Sequence, residues 1–172
     1  RGAKVTVSVS SFVPKPHTPF QWVEQSSMEE ILRKQQLLRD RLYREKNITL
    51  NWHDARTSFM EGVFARGDRR LSKVLLSAWQ NGAKFDGWSE FFRFDIWMKA
   101  LAESGLEPDF YVKRRRSPEE LLPWQHLSCG ASASFLKKES EKAVAAEFTP
   151  DCRRGKCSAC GVCTDLNVKV VD

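Results

Sequence analysis

Val5-Thr6-Val7-Ser8-Val9-Ser10-Ser11-Phe12, followed by Val13-Pro14-Lys15-Pro16-His17-Thr18-Pro19-Phe20, is the stretch on which the fold turns. Over residues 4–12 the valines fall on one side and Thr6, Ser8 and Ser10 on the other, the period of two that marks a strand. No sheet partner is obvious further along. A lone strand here reads as the last strand of a sheet whose remainder lies outside the chain. Pro14, Pro16 and Pro19 then fix φ and bias their predecessors away from helix, so Val13–Phe20 is expected to be a rigid, extended loop. A loop leaving a strand end is where α/β sheets place ligands, which sets His17 apart from His53 and His126. Those two read as structural hydrogen-bonding residues.

The 172 residues carry a net charge of +6, with 41% hydrophobic and 29% charged side chains. That length suits one domain, or one domain with a tail, and the composition excludes global disorder. No apolar run approaches the ~20 residues needed to cross a bilayer. There is no signal peptide and no starting Met, so the chain is expected to be a fragment lacking its N-terminal part, in a reducing cytoplasmic setting. Residues 1–60 hold 10 basic and 6 acidic side chains, 61–110 hold 7 and 8, and 111–172 hold 11 and 8. The basic excess thus lies at the two ends. Its densest run, Lys113-Arg114-Arg115-Arg116, is either a solvated loop or a phosphate or nucleic-acid contact. Ten of the nineteen aromatics lie between Trp52 and Trp97 and are expected to form core.

Ser26 or Ser27 can cap a helix over Ser27–Lys46, with Glu29 and Glu30 suited to its positive end. Ile48–Trp52 reads as a short strand. Asp68 is a cap for a helix in which Leu71, Val74, Leu75, Ala78 and Trp79 share one face, stopped by Asn81-Gly82. The Arg66–Arg70 stretch joins two helices; it either grips a phosphate or carboxylate or is a cap with solvated arginines. Further helices are expected over Ser89–Ser104, briefly at Ser117–Glu120, and over Ala133–Glu147, with a strand at Leu166–Val171. No P-loop, GxGxxG, nucleophile elbow or HExxH occurs.

The sharpest chemical signal is Cys152-x4-Cys157-x2-Cys160-x2-Cys163. Thiolates two residues apart can converge on one ion, and four complete a shell for zinc or an iron–sulfur cluster. Spacing does not choose between the two, and unligated or redox-active thiols are the alternative. Gly155 and Gly161 permit a tight knuckle, and Arg153, Arg154 and Lys156 would offset thiolate charge. Cys129 stands alone and reads as an ordinary buried thiol.

Several blocks, in order, resemble a known family: Ser11–Trp22, Trp52-His53-Asp54, Glu61–Leu71, Phe85-Asp86-Gly87-Trp88, Pro123-Trp124-Gln125-His126, and Thr149–Arg153 with the cysteines that follow. Over about residues 4–163 the chain is similar to bacterial radical S-adenosylmethionine (radical SAM) proteins that carry an N-terminal cobalamin-binding-like domain. The resemblance implies a partial TIM-type barrel holding a [4Fe–4S] cluster on a CxxxCxxC loop, where S-adenosylmethionine is cleaved reductively to a 5′-deoxyadenosyl radical. That motif is absent here, so the loop is expected in the missing N-terminal part, and these residues alone should not be catalytic.

The expected fold is mainly α with few strands (α+β). Residues 1–25 would be the final barrel strand and mouth loop, 26–147 a helical C-terminal region and 148–172 a Cys-rich metal-binding tail. Ser11, Val13, Pro14, Lys15 and His17 would line the cofactor or substrate mouth, with cobalamin a further cofactor and the substrate undefined. Cys152, Cys157, Cys160 and Cys163 would hold an auxiliary iron–sulfur cluster or zinc. Two other readings remain: a zinc-knuckle module binding RNA through Lys113–Arg116, Arg153, Arg154 and Lys156, and a structural domain whose metal only pins the tail. The unpaired opening strand favours the truncated barrel.

Overall fold

A computed structural model describes residues 2–169. The element order is β1 (Val5–Val9), α1 (Met28–Leu42), β2 (Ile48–Trp52), α2 (Ala55–Ala65), α3 (Leu71–Gln80), α4 (Phe94–Glu103), α5 (Pro108–Val112), α6 (Ala133–Val144) and α7 (Val162–Asp165). The protein is therefore mainly helical with a small sheet, an α+β chain. Two compact units divide it: residues 1–13 with 24–114, and residues 14–23 with 115–172. This division runs differently from the expected segments 1–25, 26–147 and 148–172.

The opening strand has a partner after all. β1 pairs in parallel with β2, in a register that sets Val5 beside Ile48 and Val9 beside Trp52. Parallel strands need a crossover, and α1 supplies it. Ser27 caps α1, its hydroxyl accepting from the Glu30 N–H at 3.2 Å. The helix stops at Leu42, short of Lys46, because Glu45 N–H turns back to Leu42 O and Ile48 N–H to Glu45 O to start β2.

In the first unit, α2 to α5 enclose a core of Phe59, Met60, Val63, Leu71, Val74, Trp97, Leu101, Tyr111 and Val112. Asp54 caps α2, accepting from the N–H groups of Arg56 and Thr57. Asp68 serves a single turn, and α3 proper starts at Leu71. The helix expected from Ser89 starts only at Phe94, because Phe85 takes a left-handed φ of 60° and 85–92 form successive turns. Those turns hold Phe85, Trp88 and Phe91 in solvent at 50–67% exposure, and Trp79 is 61% exposed. The aromatic-rich middle is thus core only in part.

Arg66 is fully buried. Its Nε donates to Tyr111 O and its Nη2 to Arg114 O, both at 2.7 Å. It donates to the last turn of α5 and to the chain just past it, while at the other end of the same stretch exposed Arg70 grips the Asp68 carboxylate at 2.7 Å. Beside it, Gln25 Nε2 donates to Ser58 O, and Gln25 N–H to Val112 O, both at 2.8 Å. A Cβ on Gly62 would lie 1.8 Å from Gln25 Oε1, so only glycine fits there.

The second unit contains α6, capped by Ser132 and ended by Ala146 at φ 57°. Ser117–Glu120 is a single turn, not a helix. No strand forms over 166–169, and the rest of the expected terminal strand lies outside the described residues. Among the described residues no helix is long and apolar enough to cross a membrane.

Replacing Arg66 by Met should leave two carbonyls of the α5 end unsatisfied and cost about 2–4 kcal/mol in chemical denaturation. Arg66→Lys should not restore it, since one ammonium cannot reproduce the guanidinium fork.

Candidate functional site

The expected mouth residues divide between the two units. In the first, half-buried Ser11 lines a cavity of about 140 Å³ just past the C-terminal end of β1, together with Phe12, Ser26, Lys34 and Leu38. Val13 is packed inside this unit. In the second, Pro14 is also fully buried and Lys15 is exposed. His17 is the only member of the set that lines the cavity of the second unit.

That cavity holds about 230 Å³ and is walled by His17, Gln21, Trp22, Glu120, Trp124 and Gln125, with Ser128 and the first residues of α6 closing it. The proline frame keeps the loop short, and His17 adopts φ 56°, a region few residues other than glycine occupy. Two bonds hold it there. The His17 N–H donates to Gln21 Oε1 at 3.2 Å, and the Thr18 hydroxyl donates to Lys15 O at 2.8 Å. Gln21 is itself buried, and the same Oε1 accepts from Trp124 Nε1 at 2.7 Å. One amide oxygen therefore joins the loop to residue 124, far along the chain. Arg116 completes the frame: its N–H donates to Trp22 O at 2.8 Å, and its guanidinium lies 5.2 Å from the Trp124 ring centre. The Trp22 indole N–H is buried without a partner, which leaves one donor available beside the cavity for an acceptor on a bound molecule. An imidazole, a carboxylate, two amides and two indoles make a surface that binds and orients a small polar or planar molecule.

Sequence reasoning singled out His17 but not Gln21, Trp22 or Trp124 as its partners. The signal was a glutamine set beside tryptophan in both Gln21-Trp22 and Trp124-Gln125. The pairing itself spans 103 residues and has no local trace. His53 and His126 are exposed.

The cysteines are arranged less tightly than their spacing suggests. All five are free thiols; Cys152, Cys160 and Cys163 are half-buried, while Cys157 and Cys129 are exposed. Cys129 is thus not the buried thiol expected. Among the described residues no three His, Cys, Asp or Glu side chains converge as an ion site. The donor types and the local backbone nevertheless suit a thiophilic ion. Ala159 and Gly161 take left-handed φ of 54° and 99°, and Ala159 N–H donates to Cys157 Sγ at 3.4 Å. The tail is anchored to the cavity wall, since Ser132 N–H donates to Cys160 O and the Ser128 hydroxyl to Asp165, at 2.8 and 2.5 Å. Arg153 is not available to offset thiolates, because its guanidinium holds Asp151 at 2.6 Å.

Gln21→Leu should remove both bonds to Oε1, cost about 1–3 kcal/mol, and change the tryptophan fluorescence through Trp22 and Trp124. The hydrogen bond from Arg153 holds the Asp151 carboxyl down from its ordinary 3.8 to about 2. A lowered carboxyl pKa stabilises the fold fully above its unfolded value, and that support is lost as pH falls toward the folded value. Protection of the Arg153 and Arg154 amides relative to their intrinsic exchange should therefore fall as pH drops from 3.8 toward 2, and Asp151→Asn should abolish the transition. No protein-family model, curated protein or solved structure matches the chain, so the cavity and tail carry the functional argument by their own geometry.

Proposed function

We propose that this chain is the C-terminal portion of a radical SAM iron–sulfur enzyme, with Cys152, Cys157, Cys160 and Cys163 as an accessory iron–sulfur or zinc site. The observation that carries this reading is the parallel β1–α1–β2 unit, the repeating element of (β/α) barrels, whose crossover begins with the proline loop directly after β1. Ligands of such folds bind at the carboxyl ends of strands, and in sequence His17 follows β1 by eight residues and lines the cavity of its own unit. The strand expected to be last is followed by β2, so in this reading the barrel portion would extend beyond residue 25 to Trp52.

In this reading a [4Fe–4S] cluster held outside these residues would supply the reducing electron for S-adenosylmethionine, and the resemblance leaves room for cobalamin beside it. This chain contributes binding and orientation: Gln21 fixes the His17 loop, and Trp22 and Trp124 wall the cavity. The four thiols would hold their metal once drawn together, with Gly155 and Gly161 in the turn between them.

The competing RNA-module reading has less support from its own residues. Lys113 pairs with Asp109 at 2.8 Å, Arg116 is buried, and Arg153 is held by Asp151. Three of its seven expected phosphate contacts are thus engaged within the protein.

Anaerobically purified chain should contain iron with matching sulfide, or about one equivalent of zinc. Cys157→Ser and Cys160→Ser should each lower that content and expose residues 149–164 to protease. Unchanged metal content and protection in both variants would eliminate the tail site.

A further inference from the structure

The free basic surface of the first unit lies away from its densest basic run. A groove of about 340 Å³ runs between the second half of α1 and β2, with Leu42, Ile48 and Leu50 on its floor and Arg39, Tyr43, Lys46 and Trp52 around it. Ile48, Leu50 and Trp52 alternate along β2 and so share the half-buried face, while Thr49 and Asn51 are exposed. The Arg39 guanidinium lies 5.0 Å from the Trp52 ring centre, and the Arg44 guanidinium lies 5.4 Å from the Tyr43 ring centre. Arg44 Nε also donates to the Tyr43 hydroxyl at 3.0 Å. Each guanidinium lies within cation–π distance of a ring, which limits its freedom. Arg39 and Arg44 bond only to neutral groups, Gln36 and Tyr43. No carboxylate pairs with Arg39, Arg41, Arg44 or Lys46 among the described residues. Glu45 is the one acid on the lining, so cations are in excess.

We propose that this groove binds single-stranded nucleic acid, with Arg39, Arg44 and Lys46 taking successive phosphates while Trp52, Tyr43 and the apolar floor meet the bases. A planar guanidinium pre-oriented on an aromatic ring matches two phosphate oxygens. Apolar and aromatic surface between the cations matches base faces and has no use for the carboxylates of an acidic peptide. A duplex would hide those faces. The inference stands on α1 and β2 alone and does not depend on the metal or cofactor reading.

The test is fluorescence anisotropy of the full chain with a labelled oligouridine of about 12 nucleotides. Binding at ~50 mM salt should weaken with a log–log slope near −2, as expected for about three phosphates on a single strand. Arg39→Gln with Arg44→Gln should weaken binding about tenfold and flatten that slope. Lys84→Gln with Arg154→Gln, which removes the same charge from other exposed positions, should have little effect. Trp52→Leu should weaken binding while keeping the slope. The arginine variants lie on the surface, so they remain informative should Trp52→Leu fail to fold. No binding at low salt would overturn the proposal. Equal losses in the control pair would also do so, because net charge would then be holding the RNA. Equal affinity for duplex RNA would overturn the single-strand assignment. Displacement by polyglutamate as effective as by unlabelled oligouridine would transfer the groove to an acidic peptide.

Discussion

The first unit depends on one buried cation. α5 has only five residues, too few to be stable as an isolated helix, and its last carbonyls have no partner within the helix. Arg66 reaches them from the end of α2 and supplies the missing donors. With α5 fixed, Tyr111 and Val112 enter the core, and Val112 O receives the Gln25 N–H at the approach to α1. A guanidinium suits this position because its forked donors reach two carbonyls at once. Burying it unsatisfied would be costly, so the contact also acts against alternative packings of this segment.

In the second unit a neutral group has the comparable role. Gln21 Oε1 takes one donor from the His17 backbone and another from Trp124, so the left-handed backbone at His17 and the tryptophan wall are set together. Strained backbone of this kind costs on the order of 1–3 kcal/mol and persists where its surroundings hold it firmly. The loop is thereby rigid before any ligand arrives, a condition that favours tight and specific binding.

Charge and aromatic density alone misdirect the reading of this surface. Lys113–Arg116 is the densest basic run, yet Arg116 is buried, Arg114 lies 4.7 Å from the Phe110 ring centre and Lys113 is paired. Arg39 and Arg41 on α1 and Arg44 just past its end have no acidic partner among the described residues, and they attract less notice in the sequence. The aromatics of the middle divide in the same way. Phe59 and Trp97 pack inside, while Phe85, Trp88 and Phe91 stack on one another in solvent. Both outcomes depend on which neighbour the fold brings close, and a local count cannot report that.

The sequence by itself determined the local elements: the alternating strand at Val5–Val9, the Ser27 cap, the stop at Gly82, the helix starting at Ala133 and the cysteine spacing. These follow from backbone stereochemistry and periodicity, which act over a few residues. Only the tertiary structure decided that β1 pairs with β2, that Arg66 and Arg116 are interior, and that His17 shares a cavity with Trp124. Each joins residues between 43 and about 100 positions apart in the chain. Their selection rests on burial and on satisfying every enclosed donor and acceptor, a condition set by the folded whole.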